Sequence, residues 1–252
     1  MNPWLALLAA AIGYAFGSIS FARIIARRVA PDEDISSLTI GVPGSTARIQ
    51  SNAISATTVR LHLGAKWGGL TSLLDMLKAA LPALAFRIWQ PGAPYYLIAA
   101  GMATVGHIWP IQHRFKGGRG MSPTLGGMFV LDPLGTVLTN LAGTLVGLPF
   151  KDMFLITGSG IVLMIPWIWF RTHDTAKLAY VLAMNALYWS VMIPEWRELL
   201  RLRREGELDA FRQAEELRVV RPDGRETTDS YTPATMLAKL KAPFQKKEDK
   251  PS

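Results

Sequence analysis

Gly106-His107-Ile108-Trp109-Pro110 is followed within a few residues by Phe115-Lys116-Gly117-Gly118-Arg119-Gly120. These two runs hold the side chains best suited to chemistry. A glycine-rich turn has no side chains to block close approach, so its backbone N–H groups can face an anion. Lys116 and Arg119 add positive charge, and His107 adds a ring that can carry a proton near neutrality. The bland reading of the two cations is anchoring at a membrane surface, and the adjacent glycines argue against it. The bland reading of His107 is a hydrogen bond that shapes the turn, and it stands beside direct participation. The pattern predicts a site for a phosphate carried by a lipid or its precursor.

Other chemistries have little support. The chain has no cysteine, which excludes disulfides, thiolate metal sites and a cysteine nucleophile. Its four histidines, His62, His107, His113 and His173, form no HxxxH or HExxH pair, so no metal site is expected. No cofactor is expected either. The net charge of +8 suits nucleic acid or an anionic membrane. The basic residues cluster at the ends of apolar segments, which favours the membrane and no nucleic-acid partner.

The elements that position these residues are membrane helices. Half of the 252 residues are hydrophobic and mean hydropathy is +0.20. That average joins two unlike parts, because more than half of all Asp, Glu, Lys and Arg lie within 196–252. A bilayer core of about 30 Å takes about 20 apolar helical residues to cross. Apolar segments fall at about 3–25, 67–89, 94–111, 121–131, 134–149, 153–170 and 177–193. The first carries Gly13, Gly17, Ser18 and Ser20, which suit close helix approach or, for the serines, a polar role. Arg23, Arg27 and Arg28 follow it, so it is retained as a crossing and not cleaved as a leader. The second holds Asp75 and Lys78, three apart and on one helical face. They are either a structural pair or groups facing the substrate. Asp132-Pro133 interrupts 121–149, which makes one crossing or two.

The expected fold is thus an all-α integral membrane protein of about seven transmembrane helices with an interfacial site on the cytoplasmic side. Residues 1–195 form the polytopic domain, with a cytoplasmic loop at 26–66 containing short helical pieces and the glycine-rich turn at 112–120. Residues 196–252 form a charged cytoplasmic tail, helical at first and flexible from Arg221. Arg27, Arg28, Arg48, Arg60, Lys66, Arg114, Lys116 and Arg119 fall on one side, against Arg87, Arg171 and Lys177 on the other. The excess marks the first side as cytoplasmic.

The two opening runs resemble the GHxxPxxxxFKGGKG signature of the bacterial membrane glycerol-3-phosphate acyltransferases that use acyl phosphate (the PlsY type), with Arg119 in place of the second lysine. Met121-Ser-Pro-Thr-Leu-Gly126 stands where that family has V-A-T-x-x-G. Gly17-Ser18-Ile19-Ser20-Phe21 resembles G-S-I-P-F, and Leu73-Leu74-Asp75-Met76-Leu77-Lys78 resembles L-L-D-x-x-K. The family's first-loop motif, G-S-G-N-x-G-A-T-N-V-x-R, is met by Ser51, Ala56, Thr57 and Val59. Ala53, Ser55, Thr58 and Leu61 replace its other key residues, and Asn52 and Arg60 each lie one place early. Gly44-Ser45 is a competing match for its G-S. The third motif, H-x-x-N-I-x-R-L-x-x-G-x-E, is echoed by Arg201-Leu202 with Gly206 and Glu207.

The resemblance implies transfer of a fatty acyl group from acyl phosphate to the 1-hydroxyl of glycerol 3-phosphate, giving lysophosphatidic acid and phosphate. The partners implied are those two substrates and membrane lipid, in the bacterial inner membrane. His107, Ser51 and Thr57 are the expected catalytic residues. Lys116, Gly117, Gly118, Arg119, Gly120, Asn52, Arg60, Lys78 and Arg201 are expected to bind substrate phosphate. The alternative is a catalytically diverged membrane scaffold that binds a lipid phosphate, which the altered first and third motifs favour. A small transporter ranks last, since polar residues within the apolar segments are mostly limited to Asp75 and Lys78.

Overall fold

The computed structural model describes residues 1–43, 48–221, 224–230 and 232–238. Gly44-Ser45, the competing motif match, lies outside the described residues. So does the far end of the tail.

Helices dominate. α1 (Pro3–Ser18) and α2 (Phe21–Val29) are separated by a short break, and α3 (Ala56–Leu63) leads into the long α4 (Ala65–Trp89). Then come α5 (Tyr95–Ile108), α6 (Met121–Leu131), α7 (Pro133–Gly147), α8 (Met153–Thr172) and α9 (Thr175–Val191). α10 (Ile193–Arg204) and α11 (Leu208–Gln213) follow. α1 packs on α5 and α4, α6 packs on α4, and α8 packs on α7 and α9. Gly13 and Gly17 let the α1 backbone lie directly on Ala99 and Ala103 of α5, as small residues allow.

The helix faces show which solvent they meet. On α4, Leu73, Leu77, Leu81, Leu84 and Ile88 point outward, while Thr71, Asp75, Lys78, Ala79 and Ala83 are buried. α7 repeats this with Leu134, Val137, Leu138, Leu141 and Leu145 outward and Thr136 and Thr139 inward. Leucine stripes outside and polar groups inside are stable only where the surroundings are apolar. Among the described residues, 3–29, 65–89 and 153–172 are long and apolar enough to cross a bilayer. A fourth stretch qualifies if α9 and α10, bent by 51°, count as one. The chain is a mostly helical integral membrane protein.

Two parts differ from expectation. The loop expected to hold only short helical pieces also forms β1 (Leu38–Gly41) and β2 (Arg48–Ser51). The tail contributes β3 (Leu217–Val220) and β4 (Glu226–Asp229), although flexibility was expected from Arg221. The four strands make one antiparallel sheet in the order β2-β1-β3-β4, with Thr39 facing Val220 and Ile40 facing Val219. Charge in the tail hides this. Yet Leu217, Val219, Val220, Thr227 and Thr228 favour strand. Val219 is fully buried.

The sheet is tied to the helices by charge. Glu33 binds Arg221 at 3.0 Å, Arg225 at 2.8 Å and the Nδ1 of His62 at 3.1 Å. Asp229 receives both Nε and an η-nitrogen of Arg60, at 3.2 and 3.1 Å.

Candidate functional site

α5 delivers His107 in its last turn, and Pro110 ends the helix. The chain then folds back beneath the helix end. The N–H of Gly118 donates to the carbonyl of His107 at 3.1 Å, and the N–H of Ile54 donates to the carbonyl of Gly117 at 3.0 Å. An η-nitrogen of Arg23 donates to the carbonyl of Lys116 at 2.8 Å. The turn is thus stitched to α2, α5 and the first loop. A Cβ on Gly118 would overlap Nε2 of His107, and one on Gly117 would overlap the His107 carbonyl. The glycines are needed here for close approach. The Gly118 N–H, expected to face an anion, is committed to His107. Gly120 has φ 84° and opens α6.

Two polar clusters flank this turn. In the first, Asp75 Oδ1 lies 2.8 Å from Lys78 Nζ and 3.6 Å from His107 Nδ1. Lys78 Nζ also donates to the carbonyl of Ile19, exposed by the break between α1 and α2, at 2.7 Å. Asp75 and Lys78 are 2% and 3% exposed. Both contacts of Lys78 are internal, so its charge is already answered, and the same-face expectation for the pair holds. A small polar cavity, about 10 Å³ and so sized for about one water, is lined by Ser18, Ser20, Asp75, Lys78, His107 and Gly118 among others.

In the second cluster, an η-nitrogen of Arg119 donates to Ser51 Oγ and its Nε donates to Glu195 Oε1, both at 2.8 Å. Ser51 ends β2 and Glu195 sits in the first turn of α10. Three distant parts of the chain therefore converge on one guanidinium.

The remaining predicted residues are spread around these clusters. Asn52, Thr57 and Lys116 are exposed. It is Thr58, beside Thr57, whose hydroxyl is built into the loop, donating to the carbonyl of Ala53 at 2.5 Å. Arg60 is held by Asp229. Arg201 pairs with Glu198 at 2.9 Å and donates to the carbonyl of Arg48, tying α10 to β2. Outside the helices that cross, burial and the charges of Arg23 and Arg27 push the His113 imidazole below its ordinary pKa.

Sequence reasoning missed Glu195 and Asp229. Asp229 left no signal. Glu195 left one: it stands six residues before Arg201, the histidine place of H-x-x-N-I-x-R-L, with Glu198 at the asparagine place.

Residues 7–204 match the family model described as glycerol-3-phosphate acyltransferase. A curated glycerol-3-phosphate acyltransferase of Methylorubrum populi is 34% identical over 203 residues, covering 78% of this chain and 90% of that protein. One of Myxococcus xanthus is 32% identical, covering 78% of this chain and 95% of that protein. The match to one of Mycoplasma mycoides, at 36% identity, covers 52% of this chain and about half, 49%, of that protein. Two crystal structures of PlsY (YgiH), described as an integral membrane glycerol 3-phosphate acyltransferase, share the fold. The glycerol 3-phosphate form has TM-score 0.65 at 24% identity, covering 80% of this chain and 93% of that one. The lysophosphatidic acid form has TM-score 0.66 at 25% identity, covering 79% and 93%.

Proposed function

This chain belongs to the glycerol-3-phosphate acyltransferase family, and from that premise we propose that it transfers a fatty acyl group from acyl phosphate to the 1-hydroxyl of glycerol 3-phosphate. The products are lysophosphatidic acid and inorganic phosphate. The observation that carries this reading is the meeting of Arg119, from the glycine-rich turn, with Ser51, the serine of the first-loop motif, at 2.8 Å. Two motifs 68 positions apart thereby form one place where an oxyanion meets a guanidinium and a hydroxyl.

Acyl phosphate is already an activated donor, so catalysis rests on positioning and charge stabilisation. In this reading Arg119 and the exposed Lys116 neutralise phosphate at the turn. Ser51 and Thr57 orient a substrate, and His107 fixes the turn through the backbone of Gly118 or donates to a substrate oxygen. Gly117, Gly118 and Gly120 serve phosphate binding indirectly, by letting the turn close against His107 and Ile108. Asn52, Arg60, Lys78 and Arg201 complete the proposed phosphate-binding set, of which Lys78, Arg60 and Arg201 act through the internal pairs that order the site. The acyl tail enters from the bilayer and glycerol 3-phosphate from water, as their solubilities require.

The proposed topology has seven crossings: α1, α4, α5, α6, α7, α8 and α9, with the glycine-rich turn and the tail on the cytoplasmic side of a bacterial inner membrane. The distribution of Lys and Arg supports that orientation. A second reading, a scaffold that binds lipid phosphate without catalysis, is favoured by the carboxylate of Glu195 already seated on Arg119.

The test is release of phosphate by purified protein from acyl phosphate, with acyl-CoA as the comparison donor. Release is expected only when glycerol 3-phosphate is present, and is expected to fall sharply in a Lys116→Ala, Arg119→Ala double variant. Unchanged turnover in the double variant would remove this site from the reaction. Binding of lipid phosphate without turnover of either donor would favour the scaffold.

A further inference from the structure

The residues that match the family model end at 204, so β3 and β4 lie outside the matched span. They nevertheless reach the first loop, whose motif departs from the family's at several positions. β1 pairs with β2 on one edge and with β3 on the other. On one face of this sheet Leu38 stands opposite Ser51, and Ile40 stands between Ile49 and Val219. Leu38, Ser51 and Val219 are all buried. Two short antiparallel strands are marginal by themselves, and a third strand sharing an apolar face makes such a sheet hold. β3 is that third strand.

The β3–β4 hairpin is also latched to α3. Asp229, at the end of β4, accepts from both Nε and an η-nitrogen of Arg60, the bidentate pairing that makes charged hydrogen bonds strong. Arg221 donates to the carbonyl of His62, in the last turn of α3, at 2.9 Å. The loop held in this way ends at the site. Ser51, the last residue of β2, accepts from Arg119. The N–H of Ile54, between β2 and α3, donates to the carbonyl of Gly117. These contacts hang between two supports: β2, fixed through β1 by β3, and α3, fixed by Asp229 and Arg221.

We propose that the β3–β4 hairpin is a clamp that holds the first loop in place for glycerol 3-phosphate, with Asp229 as its latch on Arg60. This rests on the acyl-transfer reading above. Asp229 is a positioning residue: it acts through Arg60 and α3, and so on Ser51 and the glycine-rich turn. When the latch is lost, 48–55 takes up other arrangements. Apparent affinity for glycerol 3-phosphate then falls in proportion to the fraction of molecules left competent. Turnover at saturation is preserved, because bound substrate restores the ordered loop.

The test uses two variants of the full chain. One is Asp229→Ala. The other adds Thr39→Cys and Val220→Cys to it, so that oxidation bonds β1 to β3 in place of the latch. Acyl transfer from acyl phosphate is measured with glycerol 3-phosphate varied, alongside thermal unfolding in detergent and hydrogen–deuterium exchange of the 48–55 amides. Asp229→Ala is expected to raise KM for glycerol 3-phosphate about tenfold or more, with kcat within about threefold of wild type. Exchange at 48–55 is expected to quicken with it. Oxidation of the cysteine variant is expected to return KM to within about threefold of wild type, and reduction to undo this. An Asp229→Ala enzyme with wild-type KM and wild-type exchange overturns the proposal. So does a loss confined to kcat and the unfolding midpoint, the behaviour of a tie that only stabilises the fold. A raised KM that oxidation leaves unchanged also overturns it, since the effect would then lie on Arg60 itself and not on the hairpin. A wild-type chain that transfers no acyl group from acyl phosphate overturns the acyl-transfer reading alone. The clamp then stands if Asp229→Ala speeds exchange at 48–55 and oxidation slows it, and falls if neither changes.

Discussion

Arg119 and Glu195, 76 positions apart in the chain, meet with Nε 2.8 Å from Oε1, and the same guanidinium reaches Ser51 at 2.8 Å. A planar fork with separate donors can serve both partners at once, whereas an ammonium is a single point. Arg119→Lys keeps the charge, as the related signature does at this position, and loses one of the two contacts. A charge-assisted hydrogen bond contributes about 1.5–3 kcal/mol. The expected outcome is an acyl-transfer efficiency reduced by about tenfold or more, with Arg119→Ala lower still. Equal activity in wild type and Arg119→Lys would show that the bridge to Ser51 is dispensable.

Gly118 is occupied on the side where a Cβ would stand, by Nε2 of His107. Gly118→Ala therefore has to move either a buried ring or the turn. Overpacking of this kind costs about 1–3 kcal/mol. A lowered midpoint of thermal unfolding in detergent, together with reduced activity, is expected. Gly69, whose Cβ would meet nothing, supplies the control: Gly69→Ala is expected to leave the midpoint unchanged or raise it, since alanine is the better helix former.

Asp75 and Lys78 sit 2.8 Å apart with 2% of each side chain exposed. Breaking a buried pair from one side strands the other charge and costs about 3–5 kcal/mol, whereas removing both is often close to neutral. Asp75→Asn is expected to destabilise more than the Asp75→Asn, Lys78→Met double variant. The comparison needs only thermal unfolding in one detergent. A double variant as unstable as the sum of its two single changes would show that the pair is not coupled.

Thr39 and Val220 face each other across β1 and β3. The chain has no native cysteine, so paired cysteines introduced there can bond only to each other within the molecule. Antiparallel neighbours fall within the Cα separation a disulfide requires. Mild oxidation of Thr39→Cys, Val220→Cys is expected to form an intramolecular disulfide, detected by the mass of the linked peptides. Thr39→Cys with Thr228→Cys on β4, one strand further away, is expected to stay reduced. Cross-linking of both pairs to the same extent would mean that the tail does not hold this register.

His113 is pushed below its ordinary pKa by burial first, then by Arg23 and Arg27. Below the ordinary value of about 6.5, the unfolded chain therefore binds more protons than the folded one. Stability contributed through this residue is unaffected well above that value and falls as pH drops through it. An NMR titration is expected to place His113 below the ordinary midpoint, and Arg27→Gln is expected to move it upward. A midpoint at or above the ordinary value would contradict this.

Much of this protein was legible without coordinates because the signals are local. Apolar runs of the right length gave α1, α4 and α8, and Asp75 with Lys78 was readable as a same-face pair from spacing alone. The family motifs around His107, Lys116 and Arg119 lie within one stretch of fifteen residues, so their order carried the reading. The strands were harder. β3 and β4 lie in a tail whose charge suggests solvation, and they are stable only because β1 lends its edge.

Sequence by itself determined that the chain enters a membrane and that a cationic glycine turn follows His107, since hydropathy and glycine content act over neighbouring residues. Tertiary structure alone decided what that turn meets. Ser51, Glu195 and Asp229 are brought to their arginines by chain reversals and sheet pairing over 68, 76 and 169 positions. No short-range pattern encodes such contacts, because their stability comes from burial and charge pairing that exist only once the distant segments have packed.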